Sequence, residues 1–569
     1  MRDFLASIDG ERAVGHAKWI TTNAPYRQAG SEREHKAAHY LAEQLESFGF
    51  QTRLHEFMGY VGFPGEGHLQ VLGTGEAEIP LSVFAQCIPT PAEGLESELV
   101  FCGHGAEEDY QGKDVRGKVV LTYLSFTPSR PEKMRLAAVN GAAGILMMQF
   151  LSGEYDNLPE GTVKALWGNP TDKDFHLMEA VIPSGGLRRA DGERLLQLLA
   201  QGKVTVRLSI TAERRWTKLL LPVGFLPGKV ESDRFVLVGG HMCSWSGGAT
   251  DNAAGDGAIL ELARAAIGQR DRLRRGLMVA FWPGHEQGIM EGSTWFVDTY
   301  WDQLDQQCLL YLSMDEMGKR GTSVIHAHCS PEAIDLVRRA GADALGLDSV
   351  PTYDLAKSGD QSFFGIGIPS IWLRSGPDAE TFKAWQGAEY GWWWHTRSDT
   401  LDKLDPDVLR RELAADAALF WHLANTAVMP FRFRGVADRI AARLGELQQA
   451  AGEHLDLSAP LNWAEQLQAR AAALDAASEA GKNTNDTQLA LSRSLTSVTA
   501  SVAGRWAQDS YGLSDLKTYL PGLRAAADLP ALVGSDRYYL VLNRLMRERN
   551  RVRDAVRQAC WAIEASGAL

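Results

Sequence analysis

Between about Glu213 and Pro430 four continuous apolar runs, within DRFVLVGGH, RRGLMVAFWPGHE, QQCLLYLSMDEMG and IPSIWLRS, are interleaved with helical stretches such as AAGDGAILELARAA and GSTWFVDTYWDQL. A strand without polar alternation cannot turn one face to water. These runs therefore require a sheet covered on both faces, and helices between successive strands make it largely parallel. The expected fold class is α/β, a largely parallel mixed sheet covered by helices. In open sheets of this kind functional groups collect beyond the carboxyl ends of the strands, where the loops converge on one crevice. FVLVGG delivers His241 at its end, LMVAFWPG delivers His285 and Glu286, and LLYLSM delivers Asp315. Asp251 stands in GGATDNAAGDG, where a Gly-rich turn feeds a helix start, and His395 lies in GWWWHTRSDT after the fourth run.

His241, Asp251, Glu286, Asp315 and His395 make two imidazoles and three carboxylates. A mixed set suits zinc, or manganese or cobalt, rather than the all-oxygen shell of calcium or magnesium. One catalytic ion takes fewer protein ligands than this. Two ions about 3.5–4 Å apart, sharing one carboxylate, would use all five and polarise a water as nucleophile. Asp251, central in its turn, is the expected bridge. Taken singly, each residue has a plainer reading, such as a hydrogen-bonded strand-end histidine or, for Asp251, a helix N-cap. The argument for a metal rests on the set.

The chain of 569 residues is long enough for several domains at about 150 residues each. Residues 1–70 hold an amphipathic helix, SEREHKAAHYLAEQLESFGF, ahead of a strand near Gln51–Tyr60; they form the first part of the α/β domain. Residues 71–212 change to short β-rich runs with Gly and Pro, plus a small-residue helix, RLAAVNGAAGILMM, and look like an inserted domain. Residues 213–430 complete the α/β domain with the ligand set, and residues 431–569 read as a helical domain. Six scattered cysteines with no CxxC pair read as buried free thiols. A net charge of −13 removes phosphate attraction as an organising force, so nucleic acid is not expected as a partner. No uncharged apolar run approaches the roughly 18 residues of a membrane span, and the start lacks a basic segment followed by an apolar one. A cytoplasmic protein without a membrane partner is the expectation.

These motifs together resemble the co-catalytic zinc metallopeptidase family that includes bacterial leucyl aminopeptidases, glutamate carboxypeptidase II and the transferrin receptor. GGHMCSWSGGATDNAAGDGAILELARA is similar to its first metal segment, FWPGHEQGIMEGSTWF to the segment of the catalytic and ligand glutamates, and YLSMDEMG to the third ligand strand. SGDQSFFGIGIPSIWL is similar to the substrate-pocket strand, and WWWHTRSDTLDKLD to the segment of the last histidine. The resemblance implies a zinc exopeptidase-like fold, a protease-associated-like inserted domain and a C-terminal dimerisation-like domain, hence a homodimer or higher homo-oligomer. It implies one metal on His241, Asp251 and Asp315 and a second on Asp251, Glu286 and His395, zinc foremost.

Three neighbours depart from the family pattern. His285 occupies the place of the Glu base, Cys243 that of an Asp orienting the first histidine, and Trp394 that of an oxyanion-binding Tyr. A neutral imidazole can still accept a proton from a metal-polarised water. Two divalent ions less three carboxylates leave about +1. At about 5 Å and an effective dielectric of about 20 this opposes the imidazolium by roughly 3 kcal/mol, which lowers its pKa by about two. His285 is thus a neutral, weak base in this reading; a third imidazole ligand, or a residue left after loss of activity, are its alternatives. Trp394 is a candidate oxyanion donor or aromatic wall. Arg374, Tyr390 and Trp393 are candidate substrate contacts, Arg374 for a carboxylate. The expected activity is metal-dependent cleavage of an amide or peptide bond in a small-molecule amide or peptide, with His285 shuttling the proton. The alternatives are a non-catalytic scaffold or binding protein of the same fold, and a glutaminyl cyclase-like aminoacyl transferase.

Overall fold

The computed structural model describes residues 1–75, 77–355, 362–509 and 519–567. Its sheet is built around four parallel strands, Arg275–Trp282, Glu231–His241, Cys308–Ser313 and Ser370–Gly376, side by side in that order. Thr205–Leu226 and Val324–Cys329 flank them antiparallel. The two-sided cover demanded by the apolar runs is present. Val236, Val238, Leu277 and Leu312 pack beneath the helices Gly10–Asn23, Ala254–Ile267 and Pro406–Asn425, while the alternate residues Phe235, Leu237, Met278 and Tyr311 meet Phe296, Val297 and Leu304 on the other face. The chain leaves the His241 strand to one side for Arg275–Trp282 and returns past it for Cys308–Ser313. Strand order therefore reverses between the His241 and Cys308 strands, and there the carboxyl-end loops part into a crevice.

The helix over Glu32–Phe48 begins on Ser31, whose side chain accepts from Glu34 N–H, and stops at Gly49 in the left-handed conformation (φ 95°). The strand after it runs from Gln51 to Val71, beyond the expected Tyr60, because it pairs antiparallel with Thr205–Leu226 along most of its length. These two long strands leave the α/β body and carry the inserted region. Five shorter strands, from Ile79–Val83 to Leu95–Phe101, connect one long strand to the other. The region has a core of its own, including Leu69, Leu121, Leu146 and Leu208.

RLAAVNGAAGILMM, expected as a single helix, is half strand. The helix Arg130–Val139 ends before Gly141 (φ 85°), and Gly144–Met148 is a fully buried strand between parallel neighbours. A short buried apolar run has no periodicity to separate helix from strand. The C-terminal part is helical over Arg434–Ala451, Ser458–Glu479, Asn485–Thr499 and Asp536–Ala565. Its Leu444, Leu467, Leu495 and Val556 belong to the same core as Ile259 and Leu413, so the helical end continues the α/β body's helical layer. No helix among the described residues is long and apolar enough to cross a membrane, and all six cysteines are buried and free.

The inserted region is locked to the α/β body by one fully buried ion pair. Lys164 Nζ lies 2.7 Å from Glu291 Oε1, with both side chains inaccessible, and also donates to the carbonyls of Gly168 and Gly288. Glu291 opens the helix after the His285–Glu286 loop, so the pair fixes that loop's far end. Removing one partner of such a pair strands the other charge, at about 3–5 kcal/mol. Lys164→Met is expected to lower the calorimetric melting temperature more than the double variant Lys164→Met/Glu291→Leu does; equal losses would exclude the buried charge as the cause.

Candidate metal centre

His241 ends its strand, and Asp315 stands two residues beyond the neighbouring one, across the crevice. His241 Nε2 lies 2.9 Å from Asp251 Oδ1 and 3.3 Å from Asp315 Oδ1. His395 Nε2 lies 3.2 Å from Asp251 Oδ2 and 3.3 Å from Glu286 Oε1. All five side chains thus meet, with the two Asp251 oxygens facing different histidines. His241, Asp251, Glu286 and Asp315 are buried. Yet His241 Nε2, Glu286 Oε1 and Asp315 Oδ1 have no hydrogen-bond partner despite these close approaches. Buried polar atoms that gather without bonding one another are costly, and they fit a shared cation. The donor set suits zinc and similar ions.

The loops holding these groups are pinned from elsewhere. Arg27, fully buried, donates to the carbonyls of Met242, Gly247 and Gly248 and so sets the loop between His241 and Asp251. Asp399 accepts from Thr250 N–H, the Thr250 hydroxyl and Asp251 N–H. Asn252 donates to Met314 O and accepts from Glu316 N–H, tying the turn to the strand end that carries Asp315. Gln287 accepts from Ala29 N–H and donates to Ser244 O.

His241 Nδ1 lies 3.0 Å from the Cys243 carbonyl. A carbonyl only accepts, so Nδ1 carries the hydrogen and the neutral ring presents its Nε2 lone pair to the site. The backbone of Cys243 therefore orients His241. Its thiol accepts from Glu286 N–H at 3.4 Å and lies 4.0 Å from His241 Nδ1, a longer second contact to the same ring. Burial lowers the His395 pKa, but Glu286 and Asp251 raise it by more, to about 9. Protons thus stand in for cations when the carboxylates have no metal.

His285 stacks on His241 with ring centroids 3.9 Å apart and planes 13° from parallel. An ion lies in the plane of an imidazole that binds it. His241, His285 and Asp315 do bring ligand atoms within 4.8 Å of one another, but two stacked, nearly parallel rings are poorly placed to direct their in-plane lone pairs at one ion. Trp394 stacks on His395 at 3.7 Å, and its indole N–H is buried without a hydrogen-bond partner. Tyr390 lines the cleft beside His395 together with Trp394. Two expected substrate contacts are placed otherwise. Trp393 is buried and donates to Thr250 Oγ1 at 3.0 Å, bracing the Asp251 turn. Arg374 is fully buried between the rings of Trp372 and Tyr390, each 4.5 Å away, and its Nη2 donates to Glu389 at 2.8 Å. Of the expected pocket strand, Ser358–Gln361 lie outside the described residues.

Among the residues of the inserted region that line this cleft are Arg130 and Glu160, for which no sequence motif offers a signal. Glu160 N–H donates to His395 O at 2.7 Å, and its carboxylate accepts from the Ser246 hydroxyl, 2.7 Å from both oxygens. Arg130, half-buried, donates to Glu160 O at 2.8 Å and approaches His395 Nδ1 at 3.4 Å. The cleft adjoins a cavity of about 450 Å³, lined by Tyr123, Phe126, Phe150 and Arg189 among others.

This fold and ligand cluster define a metallopeptidase-type centre, and residues 223–419 match the model for peptidase family M28. The match lies within the α/β part of the chain and includes all five clustered side chains. The chain is similar to a probable glutamate carboxypeptidase of Arabidopsis thaliana, 23% identical over 528 residues, covering 79% of this chain and 72% of that protein. It is also similar to transferrin receptor protein 2 of Rattus norvegicus, 23% identical over 522 residues, covering 78% of this chain and 64% of the receptor. In fold it resembles a zinc aminopeptidase from Bacillus subtilis, with a TM-score of 0.57 and 22% identity over 72% of this chain and 94% of that one.

Zinc binding to the folded state stabilises by mass action, about 2.7 kcal/mol at a hundred times the dissociation constant. Zinc added to chelator-treated protein is expected to raise its melting temperature, more at pH 8 than at pH 6 because the ligand imidazoles must first shed protons. Asp251→Ala is expected to abolish the rise. A shift of wild-type size in that variant would place the metal elsewhere.

Proposed function

We propose that the protein is a metal-dependent peptidase that cleaves short peptides or related small amides. The reading is carried by five side chains, four of them buried, that meet around unpartnered donor atoms. Sequence similarity reaches a carboxypeptidase and a receptor alike, so it does not choose between enzyme and scaffold; a complete ligand set supports the enzyme. His241 and Asp315 would hold one ion, Glu286 and His395 a second, and Asp251 would span both. Bound there, two zinc ions supply Lewis-acid polarisation of a water and of the scissile carbonyl.

His285 would serve as the proton acceptor. It stacks on His241, an orientation that favours a base over a further ligand although its ring nitrogen lies within reach of His241 and Asp315. Trp394 offers its unpartnered indole N–H to the developing oxyanion. Arg130 receives the carboxylate end of the peptide: it pairs with no acidic side chain among the described residues, and it lines the cleft with Trp394 and His395. A guanidinium only donates, so it can bond His395 Nδ1 only while that atom keeps its lone pair. When Nε2 serves a metal, Nδ1 carries the hydrogen and Arg130 is released for substrate.

His285→Ala is expected to lower kcat by about 10²- to 10⁴-fold with bound zinc unchanged by elemental analysis, and His285→Glu to restore turnover. Wild-type turnover by the alanine variant would end the base assignment. Arg130→Gln is expected to raise KM about tenfold or more for Leu-Gly and to leave Leu-Gly amide unaffected, as the loss of one charge-assisted pair implies. Absence of bound zinc and of peptide cleavage in wild-type protein would instead favour the scaffold.

A further inference from the structure

Glu160 is held at the junction of the two metal-ligand loops, its N–H on the His395 carbonyl and its carboxylate on Ser246 of the His241–Asp251 loop. Ser246 has one hydroxyl proton, so it satisfies one of about four lone-pair sites on that carboxylate. No lysine or arginine pairs with the carboxylate among the described residues. Arg130 is bonded to the Glu160 carbonyl instead, and His395 and Arg397 act on the carboxylate without a direct ion pair. Glu160 and Arg130 line one cleft with Phe126, Phe150, Tyr390 and Trp394. An anion partly withdrawn from water with most of its acceptor capacity unused calls for a donor, and one bearing positive charge gives the largest gain. Aromatic faces around it favour the same charge.

We propose that Glu160 is a specificity-determining residue that receives the free α-ammonium of the substrate, so that the site selects unblocked short peptides. The proposal rests on the peptidase reading and deepens it. A peptide held by its carboxylate on Arg130 and by its ammonium on Glu160 is read at both ends by the inserted region, while the α/β body holds the scissile bond. The adjoining cavity of about 450 Å³ is of a size suited to a small ligand rather than a folded chain.

The test separates binding from turnover. Zinc-loaded wild-type and Glu160→Gln protein are titrated calorimetrically with leucine and with 4-methylpentanoate, which is leucine without its amine; neither has a bond to cleave. Wild-type protein is expected to bind leucine at least tenfold more tightly, and Glu160→Gln, which keeps an acceptor for Ser246, to erase that difference while binding 4-methylpentanoate as before. Equal affinities in wild-type protein, binding of neither compound, or a Gln variant that weakens both alike would each overturn the proposal, the last by showing that Glu160 only braces the Ser246 loop. A leucine preference that survives in the variant would assign the ammonium to another group and overturn it too. Peptide cleavage is measured separately, so a failed peptidase reading shows as absent turnover whatever the titrations give.

Discussion

Everything at this centre follows from three carboxylates and two imidazoles placed together where water is largely excluded. Such a cluster cannot exist uncompensated, because each unpaired ion withdrawn from water costs several kcal/mol. Protons compensate in part, and the His395 pKa of about 9 expresses that demand. Protons do not satisfy the geometry, however. His241 Nε2, Glu286 Oε1 and Asp315 Oδ1 remain without hydrogen bonds, and a cation among them meets all three needs at once.

The remainder of the fold holds these groups in place. Their side chains come from loops that have no reason to converge by themselves, and each loop is tied from a distant part of the chain. Arg27 fixes the loop after His241, Asp399 the Asp251 turn, and Asn252 the loop carrying Asp315. Lys164, from the inserted region, fixes the end of the His285–Glu286 loop through its pair with Glu291. The inserted region is therefore part of the site's frame, and the two long strands that bear it are continuous with the catalytic sheet.

How far the sequence revealed this depends on what determines each feature. The convergence of the five side chains was readable because strand-end position is a topological consequence of buried apolar runs, and each run announces its own end. His285 was readable as an exchanged residue, but its parallel stacking on His241 is a matter of side-chain orientation. The helix assigned through Gly144–Met148 failed because a short, wholly apolar segment carries no periodicity, and only its parallel neighbours make it a strand. Arg374 and Trp393 were expected at substrate because aromatic and cationic residues near a metal suggest recognition. Burial between rings claimed the first and a bond to Thr250 the second. Arg130 and Glu160 gave no signal, since SFTPSRPEK reads as a helix start and LPEG as a turn. Their role arises from docking of two regions far apart along the chain.

The exchange at position 285 and the contribution of the inserted region bear on the same quantity. Where a glutamate stands beside the ligand Glu, two divalent ions and four carboxylates balance. A histidine there contributes no carboxylate, so a centre loaded with two divalent ions would carry about one positive charge more, which would disfavour an approaching ammonium. Glu160 returns a carboxylate from the opposite wall, held by Ser246 and the His395 carbonyl. The count is restored, but at a different place. On the proposed reading, the negative charge absent from position 285 would stand instead where the end of a peptide enters, and the site would exchange basicity at the reacting atoms for discrimination at its mouth.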